Sequence, residues 1–474
     1  MKPTLRFLSV EQRERIAATA FQLLGEVGVE VTEPEAQGLL DGAGARIDGD
    51  RVRIPGPVVE KALASAPSSI TIYSREGNEV TRLGEMTTFF GAHTDAPDVL
   101  GPGSGERRAC LESDVARHAS LIDQLPNIGF TTASGMVADR SPDVAALVAL
   151  ARCLTSSRKP VLAMPVTYQA LRHSHEMAAL ALGGEENLRE RPSLIIYAEP
   201  VSPLIHPSSS IRKLFYCADH GIPLVYTPYA AMGATAPMSQ AAIVAQLCAE
   251  SLSGLVIHQL RRPGAPFIFG GMASVMDMRT TVFSYGAPEF QRGNALMAEM
   301  AHHFGMPNFG TAGTSDSQTF DGQAILEAAS SCLLAHLTGA HLIHDVGLLG
   351  SATVVVPAMI VATDEIIAMI DHMCAGIDVR DEALALDVIK EIGPGGEFVT
   401  HWHTYERFRD VWYPEMLFRG GVEAWADSEQ RTFEERTQAR TRHLMDQPGP
   451  ASLPEDVSRE IEAIIAQVEE AEPW

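Results

Sequence analysis

The stretch Met306–Val346 constrains the fold most. It reads MPNFGTAGTSDSQTFDGQAILEAASSCLLAHLTGAHLIHDV. A short apolar run, a turn on Gly310 and Gly313, a long helical pattern and a second apolar run ending at His344-Asp345 follow in order. This is the pattern of one βαβ unit with polar groups at both strand ends. In a parallel α/β protein those ends present side chains to ligands.

The same rhythm holds from about residue 111 onward. Strand-like runs fall at Ile128–Thr132, Val161–Pro165, Leu194–Ala198, Leu224–Tyr226, Pro266–Gly270, Pro307–Gly310 and His341–His344. Helical patterns separate them: Asp143–Leu154, Gln169–Leu182, Ile211–His220, Gln240–Leu260, Pro288–Phe304 and Gly322–Leu337. About seven βα units in strict alternation imply a parallel sheet with right-handed crossovers, and that number favours a closed barrel over an open sheet. The expected class is therefore α/β, a (β/α)8 TIM barrel. Phe398-Val399 is the candidate for the eighth strand.

Before this region the chain reads differently. Ile16, Ala20, Leu23, Leu24 and Val27 recur at helical spacing. Ser69–Tyr73 and Thr87–Phe90 suggest a small β layer, and Gly91–Arg108 is rich in glycine, proline and charge. Beyond residue 400 the chain turns polar and ends in a charged helix over Glu455–Glu470. The expected division is an N-terminal helical and small β extension over 1–110, the barrel over 111–400 and a C-terminal helical extension over 401–474.

A chain of 474 residues with 46% apolar and 20% charged residues can bury a large core. Its 36 basic against 60 acidic residues give a formal charge of -24, which repels nucleic acid and anionic lipid. Neither nucleic acid nor a membrane is an expected partner. The six cysteines are dispersed with no CxxC, as expected of reduced thiols in a cytoplasm. MKPTLRFLSVEQRER lacks a signal-peptide core, and the longest apolar run, near Val354–Val361, is too short to span a bilayer. A cytoplasmic homo-oligomer is the expectation, closed symmetric assemblies being common among soluble enzymes.

If the barrel forms, its strand ends bring Ser134, Glu199, Tyr226 to Tyr229, Phe269 to Met272, Phe309 to Thr314 and His344-Asp345 to one mouth. Tyr226, Tyr229, Phe269, Tyr285, Phe309 and Phe320 could supply the faces of an aromatic cage, whose quadrupoles attract a quaternary ammonium. His344 at a buried strand end could position a substrate, hold a carboxylate or donate a proton. Asp316, Gln318, Asp321 and Gln323 cluster before a helix, where acidic residues cap free N–H groups; the neighbouring Gly310 and Gly313 suggest backbone held close to a ligand. His401-Trp402-His403 would set two imidazoles on one face of a strand, and His173-Ser174-His175-Glu176 is a similar partial set. Neither shows a third ligand at a diagnostic spacing, so no tightly bound metal is expected. Gly101–Gly105 and Gly393–Gly396 resemble phosphate loops only in glycine content and read as turns.

Four segments resemble the trimethylamine methyltransferase family, the corrinoid-dependent methylamine group. They are Met232-Gly-Ala-Thr-Ala-Pro237; Ser274-Val-Met-Asp-Met-Arg-Thr280 with Tyr285-Gly286 and Pro288-Glu289; Gly310-Thr-Ala-Gly-Thr-Ser-Asp-Ser317 with Asp321 and Gln323; and Gly339-Ala-His-Leu-Ile-His-Asp-Val346. The resemblance extends over nearly the whole chain, including the HTYERFR segment at His403–Arg409. It implies a (β/α)8 barrel that moves a methyl group from an amine to the Co(I) of a corrinoid (cobalamin), carried by a separate protein that docks over the mouth. The chain has no DxHxxG of the cobalamin-binding type, in keeping with an external carrier. Trimethylamine enzymes of the family carry pyrrolysine near the turn that here reads Ser315–Phe320. This sequence contains only the ordinary twenty residues and is similar to the non-pyrrolysine branch, some of whose members demethylate glycine betaine and other quaternary amines.

On that reading His344 and Asp345 carry the chemistry or orient the donor. Tyr226, Tyr229, Phe269 and Phe309 flank the trimethylammonium head, Arg279 and His93 meet a carboxylate tail, and Asp316, Gln318, Gln323 and Gly313 line the rim facing the corrinoid. Three alternatives stay open at the level of sequence. The donor or acceptor could differ, as with a folate acceptor; the barrel could bind a betaine without catalysis; or the histidine pairs could serve a metal-dependent hydrolase.

Overall fold

The computed structural model describes residues 3–101, 105–450 and 452–470. Eight short parallel strands form its centre: β1 (Phe89–Ala92), β2 (Thr131–Thr132), β3 (Val161–Ala163), β4 (Leu194–Ala198), β5 (Leu224–Tyr226), β6 (Phe267–Phe269), β7 (Phe309–Thr311) and β8 (Leu342–Val346). They pair as a five-stranded sheet in the order β6-β5-β4-β3-β2 and a three-stranded sheet in the order β7-β8-β1. Two isolated parallel bridges, Gly91 to Phe130 and Phe269 to Asn308, link the edges of the two sheets. A helix follows each strand: α1 (Glu112–Asp123), α2 (Pro142–Ser156), α3 (Tyr168–Ala181), α4 (Ser208–His220), α5 (Gln240–Arg261), α6 (Pro288–Phe304), α7 (Gly322–Thr338) and α8 (Pro357–Met373).

The eighth strand is not Phe398-Val399. That dipeptide lies outside any strand and is exposed (44% and 74%). The missing strand is Phe89–Ala92, expected in the small N-terminal β layer. It pairs in parallel with β8 through Leu342–Phe89 and Ile343–Phe90. Its position ahead of the first clear βα alternation hid it, because a strand of FFGA in a glycine-rich neighbourhood gives no period of its own.

Strand alternation sorts the side chains into two layers. Phe130, Leu162, Ile195, Tyr197, Val225, Ile268, Phe309 and Leu342 form one apolar cluster inside the strand array. Ile70, Ile72 and Leu83 join it from an antiparallel hairpin, Ile70–Tyr73 with Glu79–Leu83. The Tyr73 N–H donates to Pro192 O and the Arg75 N–H to Arg158 O, both just before a strand begins. The hairpin therefore floors the N-terminal ends of the strands and leaves the C-terminal ends as the mouth.

The outward faces pack on the helices. Tyr226 is fully buried there, stacked on His206 (5.8 Å, 11°), and its hydroxyl lies 2.6 Å from His206 Nδ1. Gly254 of α5 makes room for that ring, since a Cβ at Gly254 would sit 2.3 Å from Tyr226 Cδ1. Helix α5 is long and apolar enough to cross a membrane, but 89% of that window is buried inside the protein.

Buried carboxylates fasten the extensions to this scaffold. Glu299 on α6 accepts from the backbone N–H groups of Phe7 and Leu8. Glu365 on α8 accepts from three consecutive N–H groups, Glu415, Met416 and Leu417. His401-Trp402-His403 is not a strand: Trp402–Arg407 is a short helix, and the His401 ring caps it by accepting from the His403 N–H. The two imidazoles therefore do not share a strand face. Residues 102–104 of the glycine-rich segment at Gly101–Gly105 lie outside the described residues.

Replacing Gly254 by Ala forces a methyl group into the Tyr226 ring. The expected loss is about 1–3 kcal/mol of stability, read as a lower denaturation midpoint with unchanged secondary structure. An unshifted midpoint would show that this helix–strand contact is loose.

Candidate active site

At the mouth, the polar ends of β7 and β8 form the centre. His344 is buried (3%) and its ring lies 4.3 Å from that of Phe309. Its Nδ1 is 3.0 Å from Gly310 O, which only accepts, so Nδ1 carries a hydrogen. Its Nε2 lies 3.3 Å from Asp345 Oδ1. Thr311 Oγ1 donates to the other Asp345 oxygen at 3.2 Å. Burial pushes the Asp345 carboxyl pKa up, against the pull of His344 and the Thr311 hydrogen bond.

Backbone geometry holds Asp345 in place. Its φ of 78° lies in the left-handed region, and the β8–β1 register shifts between Ile343 and Val346. An aspartate held there costs on the order of 1–3 kcal/mol, which the surrounding strand pairing must offset. The shift turns Asp345 from the alternation it would otherwise follow and lets its carboxylate reach Thr311 and His344 beside the mouth.

A second polar group faces the same space from β4. The Tyr197 hydroxyl donates to Glu199 at 2.9 Å, and Tyr197 packs edge-on to Phe309 (5.9 Å, 68°). Lys213 of α4 lies near enough for its charge to act on both Glu199 and Asp95. Burial raises the Glu199 pKa and lowers that of Lys213, while each charge steadies the other. Asp95, at φ 57°, is raised to about 6 by burial first and by Glu199 next. Both carboxylates are solvent-accessible although protein surrounds them on most sides. A largely apolar cavity of about 510 Å³ opens beside Asp95, lined among others by Met136, Leu150, Met164 and Val166.

The loop after β6 completes the ring. Tyr285 is close enough for Asp345, Tyr229, Glu199 and Asp316 all to act on its hydroxyl, and burial raises its pKa well above the ordinary value. Tyr229 bonds Ser274 Oγ at 3.1 Å and is likewise raised by burial. Asp316 is a latch for this loop. It accepts from the Tyr285 N–H (2.8 Å), the Gly286 N–H (2.9 Å), Ser351 Oγ (2.9 Å) and Ser284 Oγ.

The structure thus brings together His344, Asp345, Phe309, Tyr229 and Tyr285 from the sequence analysis. Others are elsewhere. Tyr226 and Phe269 are in register with Ala198, all on the outward face, so both rings meet helices; Phe269 packs on Phe304 at 5.7 Å. Phe320 belongs to a separate apolar cluster with Leu349 and Val354. Arg279 is exposed on a turn, its N–H donating to Asp277. His93 is buried with Nδ1 at 3.1 Å from Val346 O; burial lowers it to about 3, so it is neutral and offers a carboxylate no charge. Its Nε2 has no partner among the described residues. Gly313 (φ 77°) is packed against Val346, Gln318 is exposed, and Gln323 donates to Glu327 at 3.0 Å. Asp95, Tyr197 and Lys213 were not singled out from sequence. Tyr197 was readable as the residue two before Glu199 on the same strand face; Lys213 on a helix carried no local signal.

Parallel βα units opening on an acidic, tyrosine-lined mouth define an α/β scaffold with its polar groups gathered at the strands' C-terminal ends. The chain belongs to the trimethylamine methyltransferase (MTTB) family, whose model matches residues 1–473, and it is a methyltransferase. It is 27% identical to glycine betaine methyltransferase of Desulfitobacterium hafniense (strain Y51), over 98% of this chain and 97% of that one. It is 28% identical to the trimethylamine methyltransferase MttB of D. hafniense (strain DSM 10664 / DCB-2), covering 98% and 94%. Among solved structures it is similar to the monomethylamine methyltransferase MtmB of Methanosarcina barkeri, with TM-score 0.51, 10% identity and coverage of 96% and 86%. At that identity the likeness speaks to fold alone.

Replacing Asp316 by Ala removes four bonds from one loop junction. Hydrogen exchange at the Tyr285 and Gly286 amides should accelerate by about tenfold or more, with exchange in β7 unchanged. Equal protection in the variant would remove Asp316 from its latch role.

Proposed function

We propose that this methyltransferase takes its methyl group from a quaternary amine of betaine type and passes it to a corrinoid presented by a separate carrier protein. The observation that carries the reading is the charge imbalance at the mouth. Asp95, Glu199 and Asp345 surround the space together with Tyr197, Tyr229 and Tyr285, and Lys213 is the cation that acts on both Asp95 and Glu199. Such a space attracts a permanent cation, through carboxylate charge and through ring faces at ~0.5–2 kcal/mol each. The cavity beside Asp95 offers apolar walls for methyl groups. Lys213 is the chain's own candidate for a carboxylate tail, in place of Arg279 and His93.

The strand pairing and the two bridging pairs support a closed (β/α)8 barrel as the scaffold. Support for a docking carrier comes from the rim. Met136, Val166, Val201, Met238, Met278 and Phe283 are all exposed, and they stand on five successive loops at the strands' C-terminal side. An apolar ring around a polar mouth suits a partner that covers it. These residues fit the delivery of a group over the mouth better than a cofactor resident in the chain. The corrinoid supplies the reduced cobalt that accepts the methyl group.

The chain's residues then have a defined task. A quaternary nitrogen leaves as a neutral tertiary amine, so no proton need be delivered to it. Glu199, Asp95 and the tyrosines hold the cation and aim one methyl toward the mouth, which is catalysis by orientation. His344 and Asp345 fix the polar end of β8 beside the cation. A cytoplasmic setting and a homo-oligomeric assembly belong to the same proposal.

With free Co(I) cobalamin and a panel of betaines, the protein should bleach the Co(I) absorption in the presence of one or a few donors. Glu199→Gln should lower kcat/KM by at least about tenfold. Bleaching by no quaternary amine, or an unaffected Glu199→Gln variant, would contradict the proposal. Binding should also depend on pH with a defined sign. Asp95 is neutral below about 6 and anionic above it, so affinity for the cation rises as pH increases through about 6. Calorimetry of Asp95→Asn should lose that step.

A further inference from the structure

Away from the mouth, three helices converge on a second cluster that the methyl-transfer reading does not use. His175 comes from α3, Glu185 from the short helix Glu185–Glu190, and His220 is the last residue of α4. One ligand atom from each lies within 4.8 Å of the other two. We propose that His175, Glu185 and His220 form a binding site for a divalent transition metal of the zinc type.

Each donor is a normal zinc ligand, and two imidazoles with one carboxylate are a recurrent zinc set. Tetrahedral bonds of ~2.1 Å place neighbouring donors about 3.4 Å apart, so the cluster closes by small side-chain rotations. His220 Nδ1 already sits 2.9 Å from Glu185 Oε1. The imidazoles are held by a shared outer partner. Tyr216 stacks on His220 at 4.2 Å and 28°, and its hydroxyl is 3.0 Å from His175 Nδ1. With the metal on Nε2, His175 Nδ1–H donates to that hydroxyl, the arrangement that orients metal-bound imidazoles. His175 itself is buried (6%), and its ring lies 4.9 Å from that of His220. A cavity of about 390 Å³ provides an entry path, lined by all three ligands with His173, Glu176 and Tyr216.

Position decides the role. His220 ends α4 immediately before β5 begins, on the floor side of the strands rather than at the mouth. Groups at that end of a parallel α/β array serve stability rather than chemistry. The ion therefore staples α3, the short helix and α4, which pack in sequence around β4. Sequence spacing hid the site: His175 stands in a partial set, and its completing ligands lie in two later helices.

The test uses the full chain with zinc as the probe. His175 is buried and its removal opens a cavity, so the variants are His220→Ala and Glu185→Gln, whose side chains are 33% and 65% exposed. After incubation with zinc and desalting, the wild-type chain should retain about one zinc per chain by mass spectrometry. Each variant should retain at least about tenfold less. A chelator should lower the melting midpoint of the zinc-loaded wild type and leave that of His220→Ala unchanged. No zinc retained by the wild type, or equal retention in both variants, would overturn the site and mark any bound zinc as adventitious.

Discussion

Carboxylates crowded together without an equal number of cations set the terms for everything at this mouth. Each loses part of its hydration to the surrounding protein, which hydrogen bonds or opposite charge must offset. Glu199 is partly offset by the Tyr197 hydroxyl and by Lys213. Asp345 is offset by the Thr311 hydroxyl and by the His344 ring beside it. Asp95 is opposed by Lys213 but is pushed up to about 6 by burial and then by Glu199. The residual charge can be met by a ligand that brings a permanent positive charge and needs no proton. On the proposed function, that constraint favours quaternary ammonium compounds over neutral donors and over anions.

The rest of the molecule keeps those groups in place. The β-hairpin closes the strand array from below, packing Ile70, Ile72 and Leu83 against the inner apolar layer. Asp316 ties the loop carrying Tyr285 to the turn at Ser351. Glu299 and Glu365 fasten the two terminal extensions to α6 and α8 by accepting from backbone N–H groups, with Arg13 as a further partner 3.9 Å from Glu299. Acidic residues thus do two jobs in this acidic chain: some are locked into the backbone and a few remain open to a ligand. The apolar rim from Met136 to Phe283 suits a surface covered during turnover.

Much of the fold was legible because the strands carry near-continuous apolar runs and the helices between them have clear periods. Seven of the eight parallel strands stand where the alternation puts them. Phe89–Ala92 was misplaced because a four-residue strand gains its identity from pairing with β8 and not from its own pattern. The site was legible by strand end but not by strand face. Tyr226 and Phe269 end their strands as expected, yet one residue of parity sends both rings to the helices, while Tyr197 and Phe309 point inward. Lys213 and the completed His175–Glu185–His220 cluster depend on helices meeting in space, which no local spacing encodes.

The central claim is that the mouth recognises a positive charge and not merely a trimethyl shape. Glycine betaine and its carbon isostere 3,3-dimethylbutanoate have the same outline and differ by one formal charge at the branching atom. Calorimetric titration of both with the wild-type chain at pH 7.5 measures that charge alone. The account predicts that the betaine binds at least about tenfold more tightly, a difference of about 1.4 kcal/mol or more. Equal affinity for the two would contradict it.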